Sequence, residues 1–509
     1  MSLIGIDVGS TGTKISAYNP EGKPLGSFYA AHTPRHPFPG AWELDPEEIW
    51  NNVANGLRRL TAAESVKQMP PRVVAVSAST REGFPVDADG KPLGPCIMTA
   101  DTRESGLEKT ISKAYSADEW FEFCGHTPER MDPVCRILWW ERNQPGIMRR
   151  AKHFVGWGEF LSLRLTGKAV VDYSHAGRFL VYDFGTQQWS PKRISQFGIN
   201  PDLLPEIRPW GGMIGPIPSE ISKNLGFTND VELAIGANDA VCTLLGAGVS
   251  QVGTGGLISG SWENILLPVT DQPSPSVLSN AGVSIGPYPG KANWMIYGLS
   301  PTGSATLNWA RELVNMKLDE AEAMLRRLGD GPGHVLAVPH VSGATAVWVG
   351  GSGLRAALIG MTLATSPIDV VKAFMESIAY DTHYLLYTLK DGGAKIELLR
   401  GVGGGVRSDW WTQLKSDLTG TTIETVDQPE LGTLGAALLA GKAAGMWDDV
   451  ERKAGEFTRA SKRYNPNPKR ATLYKERMEF YGTLMKDWLS KDWRPLQVKP
   501  QNQTRDDDS

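Results

Sequence analysis

The N-terminal stretch alternates short apolar runs with clusters of turn-forming residues. Residues 3–8, LIGIDV, are apolar but for one acid, and a Gly/Ser/Thr turn, GSTGTK, follows. KISAYN, the turn NPEGKP and LGSFYAA come next, which predicts three short strands joined by tight turns. In DPEEIWNNVANGLRRL (45–60) the apolar residues fall at helical spacing, with Asp45 suited to the N-cap and Pro46 to the first helical position. RVVAVSAS (72–79) is again an apolar, β-rich run. Strands, then helix, then strand predict a mixed α/β domain.

The second half repeats that style. GGLISGSWENILLPV (255–269) reads as strand with a small polar turn, Gly260-Ser261, inside it. The helical pattern SPIDVVKAFMESIAYDTHYLLYTLK (366–390) precedes a strand that runs into glycines, IELLRGVGGG (396–405). A helix ending at Gly420 follows, SDWWTQLKSDLTG (408–420), and LGTLGAALLAGKAAG (431–445) is a small-residue helix suited to close packing. A length of 509 residues exceeds the roughly 250–300 at which a single core stops growing. The glycine-rich turn GAGVSQVGT (246–254) is the expected junction, giving an N-terminal domain over 1–248, a C-terminal domain over 249–490 and a polar, disordered tail over 491–509. A nucleotide site between two such domains is the expected layout of a transferase.

Composition narrows the class. Apolar residues make up 41% and charged residues 21%, with a net charge of −4 and no basic arm or stripe, which argues against nucleic acid as a partner. The four cysteines, Cys96, Cys124, Cys135 and Cys242, form no CxxC pair, and the eight histidines show no ligand spacing. A reducing, cytoplasmic setting fits that usage. No apolar run of about 18 residues is present, and MSLIGIDVG enters a strand directly, so neither a membrane span nor a signal peptide is expected.

Four segments carry candidate chemistry. In IDVGSTGTK (6–14), Gly9 and Gly12 let backbone amides approach a phosphate, Ser10, Thr11 and Thr13 add hydroxyls, and Lys14 adds a cation. Asp7, at a strand end, is placed to hold Mg²⁺ directly or through water. The spacing matches neither GxxxxGK[ST] nor GxGxxG, and the residues alone also suit a plain hairpin turn. GVGGGVRSDWW (401–411) offers three glycines for close approach to a flat ligand such as adenine, or a simple strand-to-helix turn. In IGANDAVCTLLGAG (235–248), Asp239 follows a strand and opens a small-residue helix, where the helix dipole keeps a carboxylate ionised and able to accept a hydroxyl proton; a helix cap is the plainer alternative. In VSASTREGFPVDADGKPLGPCIMTADTRE (76–104), the adjacent Arg81 and Glu82 suit vicinal hydroxyls, and Asp101 and Arg103 follow the next strand; an exposed ion-pair loop reads equally well. Of 17 tryptophans, Trp157 and Trp262 are candidate pocket walls.

The order of these motifs resembles the FGGY family of carbohydrate kinases over about residues 3–490. MDPVCRILWWERN (131–143) is similar to its first signature at Met131, Pro133, Ile137, Trp139 and Asn143, and departs at Arg136, where the pattern has lysine, and at Trp140. AALIGMTLATSPIDVVKAFME (356–376) is similar to the second, departing at Phe374. The resemblance implies a two-domain actin-like (ribonuclease H-like) ATPase fold with an interdomain cleft, ATP and Mg²⁺ as cofactors, and a small sugar or polyol as partner. It implies Asp239 as the base and a second Mg²⁺ contact, in the context Asn238-Asp239 where Gly-Asp is usual. It further places Thr11 and Lys14 near the transferred phosphate, Gly260-Ser261 at a second phosphate loop, and Gly404, Gly405 and Ser408 at the adenosine loop. Relatives of this kind are often homodimers.

The substrate hints conflict. Arg81-Glu82 resembles the Arg-Glu pair of glycerol kinases, SASTREG resembles the autoinducer-2 kinases still more, and xylulokinases carry Met-His there. Met131 takes the position of the glycerol kinases' pocket tyrosine, which enlarges the site. A linear ketose or polyol of four or five carbons is the resulting expectation, with glycerol kinase or xylulokinase proper as alternatives. A non-catalytic nucleotide sensor on the same fold is the rival from another class. A repressor of that fold needs a basic helix-turn-helix, which the sequence lacks, and a dehydrogenase needs a different glycine spacing.

Overall fold

The computed structural model describes residues 1–249, 251–273, 283–290, 292–341, 354–426, 428 and 430–489. The expected tail over 491–509 lies outside the described residues.

The first strand, Ser2–Val8, pairs antiparallel with Gly12–Tyr18 and parallel with Pro71–Ala78. Pro24–Ala31 extends one side of this sheet, and Glu232–Asn238 and Met213–Pro216 extend the other, making six strands. In the second half, Gly253–Ser259 pairs antiparallel with Glu263–Val269 and parallel with Ile396–Val402. Thr422–Val426 and Ala460–Tyr464 follow on one side, and Trp294–Ser300 and Ser284–Pro287 on the other, making seven. The two sheets thus repeat one order: a hairpin-linked meander on one flank, two parallel strands, then an antiparallel edge.

The predicted helices form where their signals lie. Asp45 caps Pro46–Ala62 by accepting from the Glu47 N–H at 3.0 Å, and the helix buries Ile49, Val53, Leu57 and Leu60 against the first sheet. Pro367–Asp391 and Asp409–Thr419 lie against the second sheet, the latter ending at Gly420 in the left-handed region. The helix Leu431–Ala443 is apolar all round and buried almost throughout, as a helix without a polar face must be. It crosses into the first domain. Its Leu434, Ala437 and Leu438 share a core with Leu3, Val73, Ala75, Val241 and Leu245.

Small residues make that crossing possible. A Cβ on Gly5 would collide with the Thr433 backbone, one on Gly435 with Cys242, and one on Gly246 with Leu431. The Tyr18 hydroxyl bonds Thr433 Oγ1 at 2.7 Å, so the contact also carries a buried polar tie. The domains meet again at a second place. There Arg178 lies over the Tyr297 ring at 4.2 Å and donates to Ser284 Oγ at 3.1 Å. All four cysteines are buried and free. Among the described residues no helix is long and apolar enough to cross a membrane.

Candidate active site

Strand Glu232–Asn238 runs straight into helix Asp239–Gly246. The cap of that helix is Asn238, whose Oδ1 accepts from the Val241 N–H at 2.8 Å. Asp239 therefore occupies the first helical position and does not serve as the cap. Its Oδ1 accepts only the adjacent Ala240 N–H, at 2.7 Å, among the bonds described, and the residue stays partly open to solvent. Burial raises its pKa above the usual 3.8, against the Ala240 N–H and the cations His175 and Arg178. Desolvation therefore outweighs the favourable helix terminus in setting the direction of the shift.

Asp7 stands beside it at the end of the first strand. Ser77 Oγ donates to its Oδ1 at 2.6 Å, yet burial, with the charge of Asp239 adding to it, pushes the group up to about 6. Gly432, at the start of the interdomain helix, is glycine because a Cβ there would meet the Asp7 carboxylate. Lys14 pairs with Glu430 at 3.3 Å and remains partly exposed, lowering the Asp7 pKa from nearby. The turn between the first two strands closes through the Gly9 N–H to the Gly12 carbonyl at 3.1 Å and leaves the side chains of Ser10 and Thr11 exposed. Thr13 does not join them. It is fully buried and hydrogen-bonded to His32 Nε2 at 2.9 Å, because neighbours on a strand face opposite sides.

On the other flank lies the Arg81-Glu82 turn. Arg81 holds φ at +70°, a conformation residues other than glycine seldom adopt, and its guanidinium is taken by Glu129 and by Asp132 at 3.8 Å. The expected Arg81 contact to a ligand is therefore replaced by an internal ion pair. Glu82 is 4% exposed, its Oε2 has no hydrogen-bond partner, and Oε1 receives a long 3.5 Å bond from Thr99. Burial, opposed by Arg136 and reinforced by Asp239, raises it to about 7. Met131 sits half-buried beside this turn, and its carbonyl accepts from Arg136 at 3.3 Å.

Two expected ligands of this group are structural instead. Asp101 has no exposed surface, and both its oxygens are filled by Arg103 and by the Trp42 N–H at 2.7 Å. Trp157 is wholly inside the first core against Phe84, with ring centroids 5.4 Å apart, so it is not an open wall.

Sequence reasoning missed His175, Asp172 and Arg178. Asp172 caps the short helix Tyr173–Ala176 and holds His175 Nδ1, while His175 Nε2 meets the Ala78 carbonyl at 3.2 Å. Burial alone would lower this imidazole, but Asp172 holds it up at about 10, so a cation lies near Asp239. An Asp-x-x-His spacing, one helical turn, was the only signal available.

In the second domain, the Gly260-Ser261 turn is anchored to the helix Ser304–Leu313 by the Ser304 N–H to the Gly260 carbonyl at 2.8 Å. Ser261 and Trp262 are exposed beside it, Trp262 at 43%. Gly403 (φ +94°) and Gly405 lie against Ser259, so these glycines serve strand-to-turn packing; the space beside Gly404 is open. The expected ligand role of Ser408 is corrected: it is 2% exposed, bonded to Glu322, and caps Asp409–Thr419 through the Trp411 N–H at 3.1 Å. Beneath both turns, Lys415 Nζ contacts Glu263 Oε1 at 2.7 Å and Ser259 Oγ at 3.0 Å, and Ser259 Oγ donates to Glu263 Oε2 at 2.8 Å.

All these turns follow the carboxyl ends of central strands, where open α/β sheets bind ligands. The comparisons agree with that picture. The model for the N-terminal domain of the FGGY family of carbohydrate kinases matches residues 2–246, and that for its C-terminal domain matches residues 256–444. The chain is 24% identical over 500 residues to a gluconokinase of Bacillus licheniformis, covering 95% of each chain. It is 24% identical over 487 residues to a xylulose kinase of Staphylococcus epidermidis, covering 95% of this chain and 96% of that one. Its fold is similar to that of ligand-bound xylulose kinase from Lactobacillus acidophilus, with a TM-score of 0.88 at 23% identity over 96% of this chain and 99% of the other. The chain belongs to the FGGY family of carbohydrate kinases, enzymes that transfer a phosphoryl group from ATP to an alcohol.

Proposed function

We propose that this kinase phosphorylates a hydroxyl of a linear sugar or polyol of about four or five carbons, with Asp239 as the base that orients the hydroxyl and takes its proton. The observation that carries the reading is a carboxylate at a helix start, on a residue partly open to solvent and freed from capping by Asn238, between a phosphate-type turn and Glu82, whose Oε2 is unbonded. Burial raises the Asp239 pKa above its ordinary value, which makes the ionised carboxylate a stronger base. Glu82 Oε2, buried and unbonded, is a ready acceptor for a substrate hydroxyl, and the apolar Met131 gives room where a hydrogen-bonding side chain would narrow the choice.

The exposed Ser10 and Thr11 of the Gly9–Gly12 turn, and Lys14, are suited to the transferred phosphoryl group. Ser261 supplies a hydroxyl on the second turn, and the open space at Gly404 suits the adenine. Among the described residues no group of three or more metal-ligating side chains is assembled. Asp7 and Asp239 nonetheless fit Mg²⁺, which typically takes one or two carboxylates with phosphate oxygens and water, and their mutual repulsion is what a dication would relieve. When bound, Mg²⁺ would offset phosphate charge. The named relatives act on gluconate and xylulose, so both belong in the test panel.

The test is coupled ADP release across glycerol, D-erythrulose, D-xylulose, D-gluconate and D-fructose. Highest kcat/KM with a four- or five-carbon open-chain acceptor is expected. Turnover confined to glycerol, or to a six-carbon compound, refutes the assigned substrate class.

A further inference from the structure

The Arg81-Glu82 turn is held in a conformation that its own sequence does not favour, so something outside it must fix it. The fixing group is Arg136, on the helix Pro133–Asn143, with no exposed surface. Its Nε donates to the Arg81 carbonyl at 2.5 Å and to the Met131 carbonyl at 3.3 Å. Its Nη2 donates to the Met98 carbonyl at 3.0 Å, and its Nη1 to Glu104 Oε1 at 2.8 Å. One rigid fork thereby joins three chain segments around the acceptor corner, two of which carry the residues assigned to the acceptor, Glu82 and Met131.

We propose that Arg136 is the positioning residue of the acceptor site, fixing the left-handed turn at Arg81 and thereby the direction in which Glu82 points. The inference rests on the reading above, in which Glu82 receives a substrate hydroxyl. Its chemistry explains why the arrangement needs arginine. A guanidinium presents five donors in a plane and reaches the Arg81, Met131 and Met98 carbonyls and one carboxylate at once, whereas an ammonium is a single point with three donors. The pairing with Glu104 neutralises the buried charge locally, and Arg136 also offsets part of the cost of burying Glu82. Lysine is the residue of the family signature here, so Arg136→Lys keeps the charge and removes only the fork.

The experiment compares the full-length chain with Arg136→Lys, using the best acceptor from the panel above. The expected result is an acceptor KM raised about tenfold or more with the KM for ATP nearly unchanged in a chain that still folds, at a lowered melting temperature, because the acceptor corner loses alignment while the nucleotide side does not. An unchanged acceptor KM, or equal rises in both KM values, overturns the proposal. Should no panel member be phosphorylated, the substrate reading fails, and the crystal structure of Arg136→Lys still decides this one. Arg81 leaving the left-handed region and Glu82 reorienting supports it, and an unchanged turn overturns it.

Discussion

Glu82 combines two properties that pull in opposite directions. A buried carboxylate oxygen without a partner destabilises the chain wherever the group is ionised, yet it is the feature that gives the site an acceptor for a hydroxyl. Its folded pKa, about 7, lies above the unfolded value near 4.5. The folded state therefore favours the protonated form, so the stabilising contribution is complete below the unfolded value and is lost as the pH rises through about 7. Glu82→Gln is expected to raise stability at pH 8 by about 1–3 kcal/mol and to change it little at pH 4, read from urea unfolding at both values. The same variant is expected to raise the acceptor KM. A loss of stability at pH 8 would mean that Glu82 is satisfied in the free protein. With Asp239 as the proposed base, its raised pKa predicts an acid limb in kcat/KM with a midpoint above 3.8, since only the ionised form accepts a proton. Both raised groups lie within one small site, a pattern found where structure is arranged for chemistry.

The hairpins and helices of this chain were largely legible in its pattern of apolar and turn residues, down to the Asp45 cap and the stop at Gly420. What the sequence could not convey was which way individual side chains face. Thr13 and Lys14 read together as phosphate ligands, but adjacent residues on a strand point apart, and only Lys14 reaches the site side. Ser408 precedes a helix, the position where serine caps, and that role takes its hydroxyl. Lys415 and Glu263 gave no local signal at all, because their pairing joins residues far apart in the chain beneath both turns of the second domain. Breaking this buried pair with Lys415→Met is expected to cost about 3–5 kcal/mol and to raise the KM for ATP more than that for the acceptor. Lys415→Met with Glu263→Leu should recover stability without recovering ATP affinity; equal recovery of both would deny the pair a positioning role. The interdomain helix Leu431–Ala443 tolerates no added volume at its closest approach, so Gly435→Ala is expected to destabilise by about 1–3 kcal/mol in denaturant unfolding.

The molecule as a whole is one architectural idea used twice. Each sheet sets its loops at the carboxyl ends of its central strands, and the small-residue helix from the second half lies against the first strand and the Asp239 helix together. That helix begins beside Asp7 and Lys14, so movement between the halves would act directly on the site, as expected of a kinase that must exclude water before transfer. The two-domain α/β character was readable because it rests on repeated local patterns. The contacts around Asp239, with Arg178 reaching Ser284 and Asp172 holding His175, were not, because they depend on tertiary neighbours alone. The proposed phosphoryl transfer depends on the carboxylate of Asp239. Asp239→Asn preserves its size and its bond to the Ala240 N–H while removing the proton acceptor. Steady-state ADP release from that variant, with ATP binding and melting temperature measured alongside, is predicted to fall about a thousandfold or more while both controls stay at wild-type values. Turnover within about tenfold of wild type would contradict the account.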